Sequence, residues 1–394
     1  MKLRKLMLVL VSAMAAGVAA AESMRLADPA VLATIRDDVP TPPRGFLPEE
    51  RARWVLPDLS RMPLAPPTGP VDTPAEYERN DGLMIRWGSQ NALLTEMAVP
   101  ITTGEPDMTL HIVVADSNMQ ASASSTLQSA GANLSRVNFI IAPTNSVWMR
   151  DYGPRFVSDA GRRSIVDHVY NRPRPLDDAL PGVVSNLWSE PKFDIPLSHG
   201  GGNFHLFDNG VAFMTTLIQN ENPALSAQQI RDHYLQYQGL DLTLVPPLPA
   251  SFDSTQHIDM WMLPAGRKRV ILSQYPNTGG VYTTPRQVTE DVATQLGGQG
   301  YTVFRTPGWR GSNGAHYTYA NSVILNRNVL LCRFTGFETE NAQALATFQQ
   351  AFPNRNIVQV DCSGIITLAG AIHCIVMHVP TAYFYFENFE DSPP

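Results

Sequence analysis

The sequence predicts an α/β protein made of about five similar units. In each unit an amphipathic helix leads into a buried strand, a polar cluster and a strand–turn–strand. One polar residue per unit recurs at intervals of 52, 54, 64 and 53 residues, a period typical of repeat architectures. A ring of five such units would gather these residues in one central pocket; an ordinary α/β sandwich with accidental spacing is the alternative. The five residues are Asp151, Asn203, His257, Asn321 and Cys374.

The alternation of helix, strand and hairpin begins at about residue 76. Apolar periodicity predicts helices near 223–238, 285–296 and 340–351, and strands over 241–245, 301–304 and 357–360. Turn-forming residues predict hairpins at 159–161, 208–210, 264–266 and 326–328, and the Asp-Asn-Gly of 208–210 is a strong two-residue turn signal.

The first 21 residues have the pattern of a signal peptide. Three basic residues precede an apolar stretch over 6–18, and Ala19–Ala21 supplies the small residues of a cleavage site. The apolar stretch is too short for a membrane anchor. We therefore expect export to the periplasm or the exterior, with cleavage near Ala21.

A proline-rich segment follows over residues 22–73, and it shows little apolar periodicity. Such a composition predicts an irregular extension that wraps on the main domain or is partly flexible. The catalytic domain is expected over 74–394.

The acidic balance of the chain bears on its partners. The formal net charge is −7, and it becomes −10 once the three basic residues of the signal peptide are removed. This charge argues against general nucleic-acid binding and is compatible with a cationic substrate.

Three cysteines exclude a disulfide-rich scaffold and a four-thiolate zinc site. In an oxidising compartment an odd number leaves at least one thiol unpaired. Cys332 and Cys362 are either a disulfide or two buried thiols, and Cys374 is the candidate for the free, chemically active thiol.

Two short segments could work with Cys374. In His257-Ile258-Asp259, the imidazole and the carboxylate would face one pocket if the segment is a strand, because residues two apart point the same way. A His-x-Asp pair can also ligate a metal, but no third ligand stands at a convincing spacing. Trp148 and Asp151 add a flat apolar wall and a second carboxylate.

The glycine run before Asn203 allows the backbone to approach a ligand closely at Gly202. It lacks the lysine of a phosphate-binding loop, which argues against nucleotides. Two carboxylates suit a guanidinium, which is planar, cationic and rich in donors. The substrate cation would favour the Cys374 thiolate, and His257 would protonate the departing ammonia and then activate water.

These motifs resemble the bacterial, Porphyromonas-type peptidyl-arginine deiminase family of the guanidino-group-modifying superfamily. The resemblance runs from residue 74 almost to the C-terminus and includes the segments 148–154, 201–203, 257–261, 321–326 and 370–374. It implies a five-bladed α/β propeller (the pentein fold), Cys374 as nucleophile, His257 as acid/base, and Asp151 with Asp259 as guanidinium clamps. It also implies substrate contacts at Trp148 and Asn321, and no metal or other cofactor.

Agmatine deiminases are the rival within the superfamily. Their usual motifs after the Arg-Asp pair and around the nucleophile differ from the segments 170–175 and 371–376 of this chain. Arg172 and Arg174 resemble the arginines that bind a terminal carboxylate in the peptide-processing branch, and a solvated loop paired with Asp177 or Asp178 is the alternative. We therefore predict hydrolysis of arginine in peptides, preferably at the C-terminus, with agmatine as the alternative substrate.

Two other classes of protein remain open. A thiol protease has the same residue types but gives no reason for two carboxylates in the pocket. A secreted binding module without catalysis would treat the same residues as structural.

Overall fold

The computed structural model describes residues 23–382, so the predicted signal peptide lies outside the described residues. Five sheets account for its strands, in the orders β1-β5-β6-β7, β8-β9-β10, β11-β12-β13-β14, β15-β16-β17 and β4-β3-β2-β18. The strands are β1 (Val71–Asp72), β2 (Asn80–Arg86), β3 (Thr109–Val114), β4 (Val137–Ile141), β5 (Arg155–Asp159), β6 (Arg162–Tyr170), β7 (Lys192–His199), β8 (His205–Leu206), β9 (Val211–Thr215), β10 (Asp241–Val245), β11 (Met262–Gly266), β12 (Arg269–Gln274), β13 (Thr302–Arg310), β14 (His316–Thr318), β15 (Val323–Ile324), β16 (Asn328–Arg333), β17 (Asn356–Asp361) and β18 (Val376–Pro380).

Helices precede the first strand, lie between sheets and connect the parallel strands within each sheet. They are α1 (Pro29–Leu32), α2 (Pro48–Arg53), α3 (Asn91–Gly104), α4 (Ser117–Ser129), α5 (Met149–Tyr152), α6 (Pro175–Asp178), α7 (Leu180–Trp188), α8 (Leu217–Glu221), α9 (Ala227–Gln238), α10 (Thr283–Gly298) and α11 (Glu338–Ala351). No helix within residues 23–382 is long and apolar enough to cross a membrane.

The predicted unit is present in every sheet. An antiparallel pair is followed by a parallel pair whose crossover contains helix, as in β11-β12 and then β12-α10-β13. The fifth sheet pairs the C-terminal β18 with the N-terminal β2, and β2 then pairs with β3 in parallel. The mixed α/β fold of five sheets agrees with the sequence. These pairings do not join one sheet to the next, so closure into a five-bladed propeller stays a prediction.

Most predicted hairpins form where the turn residues indicate. Ala160 and Gly161 both have positive φ between β5 and β6, as a tight two-residue turn requires. The third hairpin is displaced: β11 continues through Gly266, and the turn lies at Arg267 and Lys268. Lys268 has a φ of 53°, so the turn uses a left-handed lysine that a search for glycine and proline overlooks.

The described part of the proline-rich extension lies on the main domain. Asp38 and Val39 donate their backbone N–H groups to Gly88, and β1 pairs with β5. Prolines limit it to the short helices α1 and α2, since they remove backbone donors and fix φ. Between these helices Arg44 is buried, whereas Pro43 and Gly45 on either side of it are partly exposed.

Cys332 and Cys362 form a disulfide, and Cys374 is a buried free thiol. The bond joins β16 to the residue after β17, where the segment that leads to Cys374 begins. The sequence had left this pairing open.

Candidate active site

Five turns converge at one place, and each lies just before the first strand of a hairpin in a different sheet. They contain Asp151 before β5, Gly202 before β8, Asp259 before β11, Asn321 before β15 and Cys374 before β18. The repeat explains the convergence, because equivalent points of the five units face the same region. The sequence-predicted catalytic residues are therefore together, and all are buried.

The centre of this cluster holds a side chain from the extension, Arg44. Its guanidinium is completely buried and contacts both carboxylates. Nε and Nη2 donate to the two oxygens of Asp151 at 2.8 and 2.7 Å, and Nη1 and Nη2 donate to those of Asp259 at 3.1 Å each. Nη1 also lies 2.6 Å from Cys374 Sγ, and Nη2 lies 2.8 Å from His257 Nδ1. All five N–H groups of a guanidinium thus have acceptors here.

Gly202 completes the enclosure. A Cβ built on it would lie 1.7 Å from Nη2 of Arg44 and within 3 Å of both clamp carboxylates. Its N–H donates to Asp151 Oδ1 at 3.1 Å. Only a glycine lets the backbone approach the guanidinium at this position.

Both clamp carboxylates are held ionised. Burial alone would raise the pKa of Asp151, but Arg44 and His257 outweigh it and lower that pKa well below its usual range. Burial is likewise outweighed at Asp259, where Arg44 and His373 lower the pKa. The site is therefore a fixed pair of negative charges at the bottom of a dry pocket.

Cys374 has the opposite electrostatic environment. Burial raises the pKa of its thiol well above the usual value, Asp259 and Asp151 raise it further, and Arg44 lowers it. A cation between the carboxylates and the sulfur is thus the group that favours the thiolate. Asn321 holds the sulfur through Nδ2 at 3.1 Å, while its Oδ1 accepts from the His373 backbone N–H at 3.0 Å. Asn321 therefore holds the Cys374 thiol in place, and the substrate contact that the resemblance implied stays a prediction.

His257 lies beside the guanidinium on the edge formed by Nη2. Its Nδ1 lies 3.5 Å from Asp151 Oδ1. Gly200 packs so closely against the imidazole that a Cβ built on this glycine would lie 2.7 Å from Cε1 of His257. The segment is a 3-10 turn over Ile258–Met260 rather than the expected strand. His257 and Asp259 still reach one pocket, because the turn, like a strand, directs both side chains to the guanidinium.

A layer behind the clamp contains residues to which the sequence gave no role. His373 joins Asp259 Oδ2 at 3.0 Å to Glu76 Oε2 at 2.9 Å, and Glu76 pairs with Arg150 at 2.6 Å. Glu76, His205 and His373 are close enough to hold a cation. Arg150 already neutralises Glu76 there, so we read the group as a hydrogen-bond network that fixes Asp259.

The backbone on both sides of Arg44 is also bound. Trp148 Nε1 donates to the Pro42 carbonyl at 2.9 Å, and Arg44 N–H donates to the Leu368 carbonyl at 3.0 Å. Arg174 Nη2 donates to the carbonyls of Pro43 and Gly45 at 3.0 and 3.2 Å. The segment is thus held like a bound peptide whose arginine side chain points inward.

Arg172 and Arg174 are buried, so they do not form the solvated loop that was the alternative interpretation of this segment. Arg172 lies over the ring of Phe46 at 4.2 Å and donates to the Arg44 carbonyl at 3.4 Å. Arg174 forms two bonds with the carboxylate of Glu50, at 2.8 and 3.0 Å. Arg174 thus binds a carboxylate of the extension, Arg172 binds its backbone and an aromatic ring, and binding of a substrate's terminal carboxylate by the two arginines stays a prediction.

The contacts of Asn203 and Trp148 within the protein are also defined, while their predicted substrate contacts stay predictions. Asn203 turns away from the guanidinium and exchanges hydrogen bonds with the backbone of Thr215, so it supports the glycine turn. Trp148 packs across Gly370, where an added Cβ would lie 2.5 Å from its ring and 3.1 Å from Cys374 Sγ.

The pKa of Cys374 gives a first testable prediction. In an Arg44→Ala variant the cation that lowers this pKa is gone, so alkylation by iodoacetamide should have a midpoint above the roughly 8.5 of an ordinary thiol. Adding Asp259→Asn removes an anion and should shift the midpoint down and speed labelling at pH 8. Cys374 is the thiol measured, since Cys332 and Cys362 are bonded to each other. If the midpoint of the Arg44→Ala variant lies at or below that of free cysteine, the environment of Cys374 does not raise the pKa of its thiol as described.

Comparison with known proteins shows what this chain is similar to. The model of the Porphyromonas-type peptidyl-arginine deiminase family matches residues 72–380. A Legionella pneumophila protein named "Putative agmatine deiminase" is 26% identical over 270 residues, which cover 63% of this chain and 76% of its own length. A Streptomyces avermitilis protein of the same name is 25% identical over 264 residues, covering 60% and 75%.

Solved structures show the same fold. The "Putative Arginine Deiminase" of Porphyromonas gingivalis superposes with a TM-score of 0.70 at 19% identity, covering 80% of this chain and all of that one. A C. jejuni agmatine deiminase with substrate bound gives a TM-score of 0.69 at 16% identity, covering 80% and 98%.

Proposed function

Because the chain belongs to the Porphyromonas-type peptidyl-arginine deiminase family, a family of hydrolases that act on guanidino C–N bonds, we propose that Cys374 is the nucleophile of such a reaction. The observation that carries this proposal is the guanidinium of Arg44. It contacts the sulfur, an imidazole and two carboxylates at once. A thiol protease or a binding module has no use for this arrangement.

The chemistry follows from these contacts. The thiolate forms a bond with Cζ, and the bond from Cζ to Nη2 breaks as His257 delivers the proton that the thiol gave up. Water then forms the Cζ–O bond and releases the sulfur, with His257 taking a proton from the water. The products are a ureido group and ammonia. Asp151 and Asp259 hold the guanidinium plane throughout.

Agmatine is the substrate that the relatives favour. The prediction of a C-terminal peptide arginine has no specific support from them, whereas the Legionella and Streptomyces relatives reported above carry the name "Putative agmatine deiminase". We therefore propose agmatine as the first substrate, converted to N-carbamoylputrescine and ammonia in a route to putrescine.

Arginine within a peptide is a second candidate, and one observation favours it. The carbonyls of residues 42–45 are held by Trp148, Arg172 and Arg174, although agmatine has no backbone to offer them. The chain continues on both sides of Arg44. This binding mode suits an internal arginine better than the C-terminal one predicted from the sequence.

A substrate panel tests the two candidates. An Arg44→Ala enzyme should be given agmatine, free arginine, a C-terminal-arginine peptide and a peptide that copies residues 40–50, and both ammonia and ureido product should be measured. We expect the highest kcat/KM on agmatine. The matched variant Arg172→Ala/Arg174→Ala should lose turnover of the 40–50 peptide and keep that of agmatine, because those arginines bind backbone and Glu50.

The results of this panel distinguish the two candidate substrates and test the proposed reaction. Turnover of the peptide but not of agmatine replaces the first candidate by the second. Cleavage of the peptide backbone, or no ammonia from any of the four compounds, would overturn the proposed reaction.

Export of the chain also remains a proposal. It rests on the signal-peptide pattern of residues 1–21, and the disulfide between Cys332 and Cys362 supports it, because such bonds persist mainly in oxidising compartments.

A further inference from the structure

The extension places Arg44 where a substrate must lie. Every group assigned to the reaction contacts its guanidinium, and nothing separates Nη1 from the Cys374 sulfur. Seven backbone or side-chain bonds hold the segment 42–50 around it, from Trp148, Arg172, Arg174 and the Leu368 carbonyl. The segment therefore does more than block access to the site, because it places a guanidinium against the Cys374 sulfur.

We propose that Arg44 is a modification site, at which the enzyme hydrolyses the guanidinium of its own chain and converts Arg44 to citrulline. This inference rests on the proposed function, and it adds a substrate that lies in the same polypeptide. Until that conversion the extension closes the site to other guanidines, because Arg44 and Cys374 are both completely buried.

The reaction needs only water as a co-reactant. The Cys374 sulfur bonds to Cζ of Arg44, and ammonia leaves with the proton carried by His257. The departure of ammonia vacates the position beside His257, where a water molecule enters and attacks Cζ. The Sγ–Cζ bond then breaks, the thiol regains its proton, and the ureido oxygen of citrulline comes from water.

Loss of the charge changes how the segment is held. Arg44 is paired with two buried carboxylates by four bonds, and citrulline is neutral. Both Asp151 and Asp259 then lack a cation in a dry environment, where an unpaired charge is costly. Citrulline-44 should therefore leave the pocket, and the first turnover opens the site for external substrate.

The chain supplies its own controls. Arg36 and Arg53 lie in the same extension but are exposed, and each donates to backbone carbonyls rather than to a pair of carboxylates. They should stay arginine. A Cys374→Ser chain should keep Arg44 unmodified, since it lacks the nucleophile.

Peptide mapping of purified protein by mass spectrometry tests the proposal. Wild-type chain should show the NH-to-O mass change at residue 44 and no trypsin cleavage between residues 44 and 45, while residues 36 and 53 remain arginine. To test for reaction within one chain, Cys374→Ser protein is mixed with active Arg44→Ala protein. Its Arg44 should stay unmodified, because its own fold buries that side chain.

Two results overturn the inference and leave the proposed function standing. One is intact Arg44 in wild-type protein that hydrolyses external agmatine or peptide; the other is conversion of the Cys374→Ser chain by its partner in the mixture. The proposed function itself fails if the Arg44→Ala enzyme releases no ammonia from any substrate of the panel, and residue 44 would then be intact as well.

Discussion

Replacing Cys374 by serine is expected to reduce ammonia release by about 10⁴-fold or more, in line with the loss of a nucleophile in other enzymes. A hydroxyl is far harder to ionise than a thiol, and the pocket already opposes an anion at this position through burial and two carboxylates. The measurement is best made in the Arg44→Ala background with agmatine, so that the extension does not compete.

Serine is close in size to cysteine, so the clamp should persist in this variant. Binding of agmatine by calorimetry and an unchanged melting temperature are the matched controls. Substantial turnover by the serine variant, with the substrate still bound, would move the nucleophile to another residue.

The second large effect is expected at the clamp. Asp151→Asn or Asp259→Asn turns an acceptor oxygen into an N–H that faces the N–H groups of the substrate. Each carboxylate makes two charge-assisted bonds with the guanidinium. At about 1.5–3 kcal/mol per bond, each substitution should lower kcat/KM by roughly 10²- to 10⁴-fold.

Asp253→Asn is the control for this pair. Asp253 is also a buried carboxylate, but its partners are Thr255 and His316 rather than the guanidinium. It should alter stability more than turnover. Near-normal kcat/KM in either clamp variant, or an equal loss in Asp253→Asn, contradicts the clamp.

Local sequence signals predicted the helices and hairpins whose formation depends mainly on residues close together in the sequence. Amphipathic periodicity located α9, α10 and α11 to within a few residues, and turn chemistry located the hairpins before β6, β9 and β16. The regular spacing of the polar residues predicted their convergence, because equivalent turns of the five units face one region.

The short turns of the site were not predictable in the same way. The segment around Asp259 was considered as a strand, and it forms a 3-10 turn. A few residues carry no reliable period, and the surrounding sheets decide their conformation.

Arg44 was missed because its contacts are all distant in sequence. It is separated from Asp151, Asp259 and Cys374 by 107, 215 and 330 residues. The available signal was an arginine between two prolines and a glycine in an extension that precedes a guanidinium site. Glu76 and His373 were missed for a similar reason, since only the folded chain joins them to Asp259.

The tight enclosure of the guanidinium has a consequence for substrates that carry extra substituents. Nε, Nη1 and Nη2 each face a carboxylate, and the Gly202 backbone covers Nη2. A methyl group on a terminal nitrogen would replace a bonded hydrogen and meet the sulfur, the imidazole or an oxygen instead. We therefore expect the pocket to discriminate against guanidines methylated on a terminal nitrogen, both because a hydrogen bond is lost and because no space is left for the methyl group.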